Sequence, residues 1–233
     1  MTAPTVTLVT GGNRGLGFEL ARRLVDAGQS VWIGARDAER GRAAADRIGA
    51  RFVRLDVTDD ASVLAAAETI RAEAGHLDVL INNAGILGEV TPPEEMTVEH
   101  LRPVYETNVF GTVRVTHAFL PVLRAATTPS VINITSGVGS FTLINDPDRV
   151  ESQYPLAAYG SSKVAVTMLT VQYARTIPDV RFNVVDPGQS ATDFTGGLGH
   201  SPQEGTDAAV RLATLGDRTP TGTATDRDGV LPW

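Results

Sequence analysis

Thr5-Val6-Thr7-Leu8-Val9-Thr10-Gly11-Gly12-Asn13-Arg14-Gly15-Leu16-Gly17 reads as a short apolar strand that ends in a glycine-rich turn and opens into an amphipathic helix running to about Ala27. Glycines in such a turn let the backbone bend sharply and approach a ligand closely. A helix that begins there offers unpaired N–H groups and a partial positive charge. The stretch therefore predicts a phosphate cradle at the end of the first strand. Its spacing fits neither Gly-x-Gly-x-x-Gly nor the Gly-Lys-Ser/Thr ending of a triphosphate-binding loop, and read alone it also fits a plain strand-to-helix turn.

Outward from this stretch, β-branched runs alternate with helical ones, with no internal repeat. Strands are expected at Ser30 to Gly34, Phe52 to Asp56, Val79 to Asn82, Val131 to Ile134, Arg181 to Val185 and Thr223 to Thr225. Helices are expected through Ala38 to Ile48, Ala61 to Ala74, Val98 to Ala125, Tyr159 to Thr176 and Gln203 to Leu215, with a late start or a kink at Pro103 in the third of these. This βαβα order predicts one domain over residues 1–233. Its architecture is α/β, a Rossmann-type doubly wound parallel sheet of about seven strands with helices on both faces. Ligands of such a sheet bind at the carboxyl ends of the strands.

Composition excludes several functions. The chain has no cysteine, so disulfides and thiolate metal sites are absent, and its four histidines lack metal-ligand spacing, so no metal is expected. A net charge of −7 argues against nucleic-acid binding. No apolar run approaches the roughly 20 residues that span a membrane. Met1 to Thr5 shows no secretion signal, which makes a cytoplasmic location the expectation.

Lys163 is the only lysine among 20 Lys and Arg residues, and it follows Tyr159 by four positions in Tyr159-Gly160-Ser161-Ser162-Lys163. One helical turn brings the two to the same face. A compact ammonium beside the phenol favours phenolate over phenol and makes Tyr159 a candidate acid/base. The plainer reading is a solvated helical lysine near a core tyrosine.

The loop Thr10 to Gly17, Asn82-Asn83-Ala84-Gly85, Asn108, Ser136, the Tyr159/Lys163 pair and Pro187-Gly188 stand in an order that resembles the short-chain dehydrogenase/reductase family over nearly the whole chain. The long segment between Ser136 and Tyr159 is similar to its carbonyl-reductase group. The resemblance implies hydride transfer between a nicotinamide cofactor and a carbonyl or alcohol carbon, with Asn108, Ser136, Tyr159 and Lys163 catalytic. Tyr159 is then the proton donor, Ser136 holds the reacting oxygen, Lys163 also reaches the nicotinamide ribose, and Asn108 holds a water on a proton path. From residues alone Asn108 equally suits a helix kink, and Thr135 competes with Ser136.

For the cofactor, the resemblance implies a pyrophosphate cradled by Gly11, Asn13, Arg14, Gly15, Leu16 and Gly17. Asp56 and Val57 meet the adenine; Asn83, Ala84 and Gly85 lie along the ribose; Pro187, Gly188 and Thr192 approach the nicotinamide carboxamide. At the end of the second strand, where an acidic residue would hold an NAD ribose, the chain has Gly34-Ala35-Arg36-Asp37. Arg36, with Arg14, suits a 2′-phosphate, which predicts NADP(H). The competing reading gives Asp37 the ribose diol.

These expectations add up to an NADPH-dependent reductase of ketones or aldehydes. The alternatives are an alcohol dehydrogenase working oxidatively and a non-catalytic NADP(H)-binding sensor. Ser140 to Pro155 is expected to set substrate preference, and Thr192 to Ser201 to form a mobile lid. The expected partners are a small carbonyl or alcohol substrate and further copies of the chain in a homodimer or homotetramer.

Overall fold

The computed structural model describes residues 3–233. In chain order its elements are β1 (Val6–Thr10), α1 (Gly15–Asp26), β2 (Ser30–Ala35), α2 (Ala38–Ile48), β3 (Arg51–Arg54), α3 (Asp60–Ala74), β4 (Val79–Asn82), α4 (Val98–Tyr105), α5 (Gly111–Leu123), β5 (Ser130–Ile134), α6 (Phe141–Ile144), α7 (Ala157–Thr176), β6 (Arg181–Val185), α8 (Pro202–Gly205), α9 (Asp207–Thr214) and β7 (Ala224–Thr225). The seven strands form one sheet in the order β3-β2-β1-β4-β5-β6-β7. Every pairing is parallel.

The apolar strand runs follow from burial on both faces. Successive residues of a strand point to opposite sides. Leu8, Leu80 and Val131 therefore enter one layer with Val63, Ile70 and Phe119, while Val9, Ile81 and Ile132 enter the other with Leu20, Leu24 and Leu212. A parallel sheet covered by helices on both sides leaves no polar face to write into the sequence. Helix boundaries obey local chemistry. Asp37 and Asp59 cap α2 and α3 through their side chains, and Gly49 and Gly75 end those helices in the left-handed conformation.

The order reverses at β1, which lies between β2 and β4, so a crevice opens at the carboxyl ends of β1 and β4. Thr10 closes its floor. Its hydroxyl accepts from the N–H groups of Asn83 and Ala84, each at 3.0 Å, and the Asn83 side chain donates back to the Thr10 carbonyl at 2.9 Å. Asn82 ties the next pair, donating to Asn133 at 2.8 Å, and Asn133 donates to Thr170 of α7 at 2.8 Å.

Several expected elements differ in detail. The helix expected from Val98 to Ala125 is α4 and α5 joined by a π turn, Glu106–Phe110, in which Gly111 N–H donates to the Glu106 carbonyl five residues back. Pro103 lies inside α4, which starts at Val98 without delay; the irregularity comes in the turn that follows the proline. The helix expected from Gln203 to Leu215 is broken at Thr206 into α8 and α9. Helix α7 starts two residues early, at Ala157, so Tyr159 sits inside its first turn.

One contact fixes α7 on the sheet. After β5, Gly137-Val138-Gly139 forms a tight turn whose backbone lies directly on the helix. A Cβ on Gly139 would stand 2.9 Å from Lys163 Cβ and 3.0 Å from Val164 N, and one on Gly160 would stand 2.9 Å from the Val138 carbonyl oxygen. Substituting Gly139→Ala should push helix and turn apart, destabilising the protein by about 1–3 kcal/mol. Urea unfolding of the two chains measures this, and an unchanged midpoint would show that the helix is held elsewhere.

Candidate active site

The turn just described sets the first side chain. Ser136, two residues past β5, is in extended backbone and leads into the turn against α7. Helix α7 then presents Tyr159 and Lys163, and the π turn between α4 and α5 presents Asn108. Thus all four residues singled out as catalytic gather around the carboxyl ends of β4 and β5. Asn108 is buried and fully used: its Oδ1 accepts from Ile86 N–H at 2.8 Å, while its Nδ2 donates to the Ile86 carbonyl and to Ser162 Oγ, both at 3.0 Å. Its own carbonyl accepts from Thr112 at 2.8 Å. The side chain clasps the loop after β4 to α7, and the widened turn is where this clasp is made.

Lys163 is buried, and its ammonium donates to the Ile134 carbonyl at 2.8 Å. It stands 5.4 Å from the centre of the Tyr159 ring. A Cβ built on Gly85 would come within 3.7 Å of the ammonium and 3.3 Å of Asn108 Oδ1, so glycine there keeps open the space beside the lysine. Burial pulls the ammonium down to about 8, against the opposing pull of the Asp186 carboxylate.

Tyr159 keeps part of its surface toward the cleft yet lies deep among protein atoms. The spacing argument expects an acidified phenol. In the protein alone the opposite holds: burial pushes it well above the usual tyrosine range, the Asp186 charge adds to this, and the Ser136 hydroxyl opposes it by hydrogen bonding.

Asp186 itself went unnoticed in the sequence. It follows β6, is 5% exposed, and accepts from Gly188 N–H at 2.8 Å. Burial raises its carboxyl to about 6; the Gly188 and Gly137 amides act against this, and the Glu151 and Asp226 charges reinforce it. The one available signal was its place, an acidic residue ending an otherwise apolar strand immediately before Pro187-Gly188.

The cradle residues meet at the β1–β4 crevice. Gly11 and Gly15 have positive φ, 64° and 53°, and a Cβ on Gly17 would strike the Gly11 carbonyl oxygen at 2.4 Å. Gly11 packs on Ala84, and Gly15 faces Thr192 at 3.6 Å, which brings the loop after β6 over the turn. Leu16 packs toward Gly205. Where Asp37, Asp59 and Ser201 cap their helices, α1 has no side-chain cap and no acidic residue in its first turn; Arg14 stands at the capping position, exposed. A helix end left open and lined by glycine is suited to the phosphates of a dinucleotide.

At the outer end, Asp56 lies where the charges of Arg36 and Arg54 act on it; burial opposes, but hydrogen bonds from Thr58 and these two cations hold its carboxyl below the ordinary range. Val57 beside it is buried. Asp37, the alternative holder of a ribose diol, is committed to capping α2, accepting from Glu39 and Arg40 N–H at 3.1 Å each. Arg36 is exposed at the same rim. Gly188 has φ 63°, and a Cβ there would meet His200 at 2.8 Å. The donor set as a whole fits a nicotinamide dinucleotide lying from Arg36 across the glycine turn to Lys163.

The walls around Tyr159 are only partly those expected. In the Ser140 to Pro155 segment, Phe141 and Ile144 are exposed and Leu143 is buried, while Tyr154 is joined to Gln189 at 3.1 Å. The cleft next to Tyr159 is lined by Leu87, Val90, Met96 and His100 together with Pro155 and Leu156, so the loop after β4 borders it along with the end of that segment. The supposed mobile lid is knit together: Thr195 Oγ1 donates to the Ser190 carbonyl at 2.6 Å, and His200 N–H to the Gln189 carbonyl at 3.0 Å. It carries Phe194, whose ring centre lies 5.6 Å from that of Tyr159. Among the described residues no cluster of side chains is arranged to hold a metal, and no helix is long and apolar enough to cross a membrane.

Known proteins share this arrangement. The family model for short chain dehydrogenase matches residues 5–203. Short-chain dehydrogenase anuI of Penicillium roqueforti (strain FM164) is 36% identical over 230 residues, covering 93% of this chain and 90% of its own. The (−)-isopiperitenone reductase of Mentha piperita is 30% identical, covering 96% of each chain. The crystal structure of NADPH-bound carbonyl reductase from chicken fatty liver superposes with a TM-score of 0.87 at 26% identity over 100% of both chains. The match of the family model over residues 5–203 and these relatives show that the chain belongs to the short-chain dehydrogenase/reductase family of oxidoreductases.

Proposed function

We propose that this protein reduces a ketone or aldehyde to the alcohol with NADPH, and that Tyr159 is the general acid. The observation that carries the reading is the convergence of Ser136, Tyr159 and Lys163 beside an uncapped, glycine-lined helix end. The reductase names among its relatives and an NADPH-bound structural neighbour support it.

The chemistry supplied by bound NADPH is the hydride, whose electron pair becomes the new C–H bond while the carbonyl π pair moves onto oxygen. The chain's own residues manage that oxygen. Ser136 donates a hydrogen bond to it and keeps it within reach of the phenol. Tyr159 gives up its proton to it, the O–H bond breaking as the alcohol O–H forms, and the resulting phenolate takes a proton from water. The phenol carries its proton at neutral pH, the form from which it can donate. Lys163 would hold the nicotinamide ribose from its anchor on Ile134. Gly11 to Gly17 would hold the pyrophosphate, Asp56 and Val57 the adenine, and Arg36 with Arg14 a 2′-phosphate. Asn83, Ala84, Gly85, Pro187, Gly188 and Thr192 would line the ribose and carboxamide.

Substituting Tyr159→Phe should leave NADPH binding nearly unchanged and cut turnover at least ~100-fold. NADPH consumption with a panel of cyclic ketones, aldehydes, diketones and quinones measures this. Preserved turnover would assign the proton to another group, and silence of the wild type across the panel alongside tight NADPH binding would favour a sensor. Arg36→Ala should weaken NADPH binding ~10- to 100-fold, the worth of a charge-assisted contact, and leave NADH binding unchanged. Titration of nicotinamide fluorescence tests it, and NADH binding as tightly as NADPH to the wild type would refute the assignment.

A further inference from the structure

We propose that Arg114 is a positioning residue for the cofactor: its guanidinium sets the Asp56 carboxylate at the adenine end and, by a separate bond, the start of the π turn that carries Asn108, so that one side chain fixes both ends of the site. This deepens the NADPH reading and rests on its placement of the adenine at Asp56 and Val57.

Arg114 stands in the first turn of α5, with its side chain 20% exposed. Each guanidinium nitrogen has a different partner. Nη1 donates to the Val57 carbonyl at 2.7 Å, Nη2 to Glu106 Oε1 at 2.9 Å, and Nε to Asp60 in the first turn of α3. Backbone packing brings these segments together. A Cβ on Gly111 would stand 2.9 Å from Val57 Cγ2 and 3.3 Å from the Val57 carbonyl oxygen, so α5 begins in direct contact with the segment after β3.

The bond to Val57 acts beyond itself because a peptide unit is planar. The carbonyl that Arg114 holds belongs to the same unit as the Thr58 N–H, which donates to Asp56 Oδ1 at 3.0 Å, and the Thr58 hydroxyl donates to that oxygen at 2.8 Å. Holding one end of the unit therefore aims the other. Asp56 is turned so that Oδ1 is engaged locally, while among the described residues Oδ2 receives no hydrogen bond and is left for an exocyclic amine. On the other arm, Glu106 opens the π turn, and its carbonyl accepts from Gly111 N–H. Asn108 follows two residues later.

The side chain of Asp60 is 81% exposed and that of Glu106 42%, so as ion pairs these bonds contribute little. Their effect is geometric. A planar fork engaged at every nitrogen has one orientation, whereas a lysine would keep the charge and bring a single nitrogen to acceptors on three segments.

The test compares wild type with Arg114→Lys, Glu106→Gln and Asp60→Asn, all free of cofactor. Adenosine 2′-monophosphate, which has the adenine and the 2′-phosphate but no nicotinamide, is titrated by calorimetry, and backbone amide exchange is followed by mass spectrometry. In Arg114→Lys the nucleotide should bind ~3- to 10-fold more weakly. The amides of residues 56–60 and 106–112 should exchange ~10-fold faster or more, with the rest of α3 and α5 unchanged. Glu106→Gln should speed exchange at 106–112 alone and leave nucleotide affinity as in wild type; Asp60→Asn should do neither. The proposal is overturned if Arg114→Lys binds the nucleotide as wild type does, exchanges faster evenly along α3 and α5, or does not fold, since the guanidinium then serves stability only. Independently of that chain, unchanged exchange at 106–112 in Glu106→Gln overturns it too. A wild type that binds no adenosine 2′-monophosphate removes the adenine placement and this proposal with it, whereas one that binds it and reduces no carbonyl counts against the reductase reading alone.

Discussion

The seating of α7 on the glycine turn after β5 is the contact on which the rest of the site depends. With hydrogen atoms in place of Cβ at 139 and 160, helix and turn approach to backbone contact. That distance fixes where Lys163 leaves the helix, and the Ile134 carbonyl captures its ammonium from the adjoining strand. It also brings Ser136 to the Tyr159 phenol and the Asp186 carboxylate to the underside of the same turn. A side chain at either position would push helix and turn apart. The stiffness is reinforced from the other side by Asn108, which joins the Ile86 backbone to Ser162 of α7.

The dinucleotide side is organised by a different economy of donors. Four other helix starts, those of α2, α3, α6 and α8, are capped by their own Asp or Ser, whereas α1 begins with Arg14 in extended backbone and no side-chain cap. Thr10 and Asn83 use their side chains to lock β1 to β4, so the crevice between them is rigid before anything binds. Preorganisation of this kind lowers the ordering cost of binding.

How far the sequence discloses this depends on the range of the interaction involved. Strands buried on both faces announce themselves as apolar runs, and caps such as Asp37, Asp59, Gly49 and Gly75 are local chemistry, so sheet, order and helix limits can be read directly. The pairing of Tyr159 with Lys163 is also local, one turn of helix. Asp186, Asn108's clasp on Ile86, and the wall from Leu87 to Met96 are contacts between distant segments, and no spacing rule exposes them. The phenol's high ionisation range was missed for the same reason: the sequence reveals the lysine but not the carbonyl that occupies it, nor the depth of burial. The π turn at 106–110 was hidden because Pro103 drew the expected irregularity toward itself.

Three ionisable groups buried within one neighbourhood, with a second carboxylate at Glu151, would be an unstable composition for a core that served only packing. Hydrophobic substitutes of similar volume are commonly as stable or more so. Here the burial acts in opposite directions on the two partners, pulling Lys163 down to about 8 and pushing Tyr159 up, so that each change favours the neutral form. A bare pair in this environment would drift toward phenol and neutral amine.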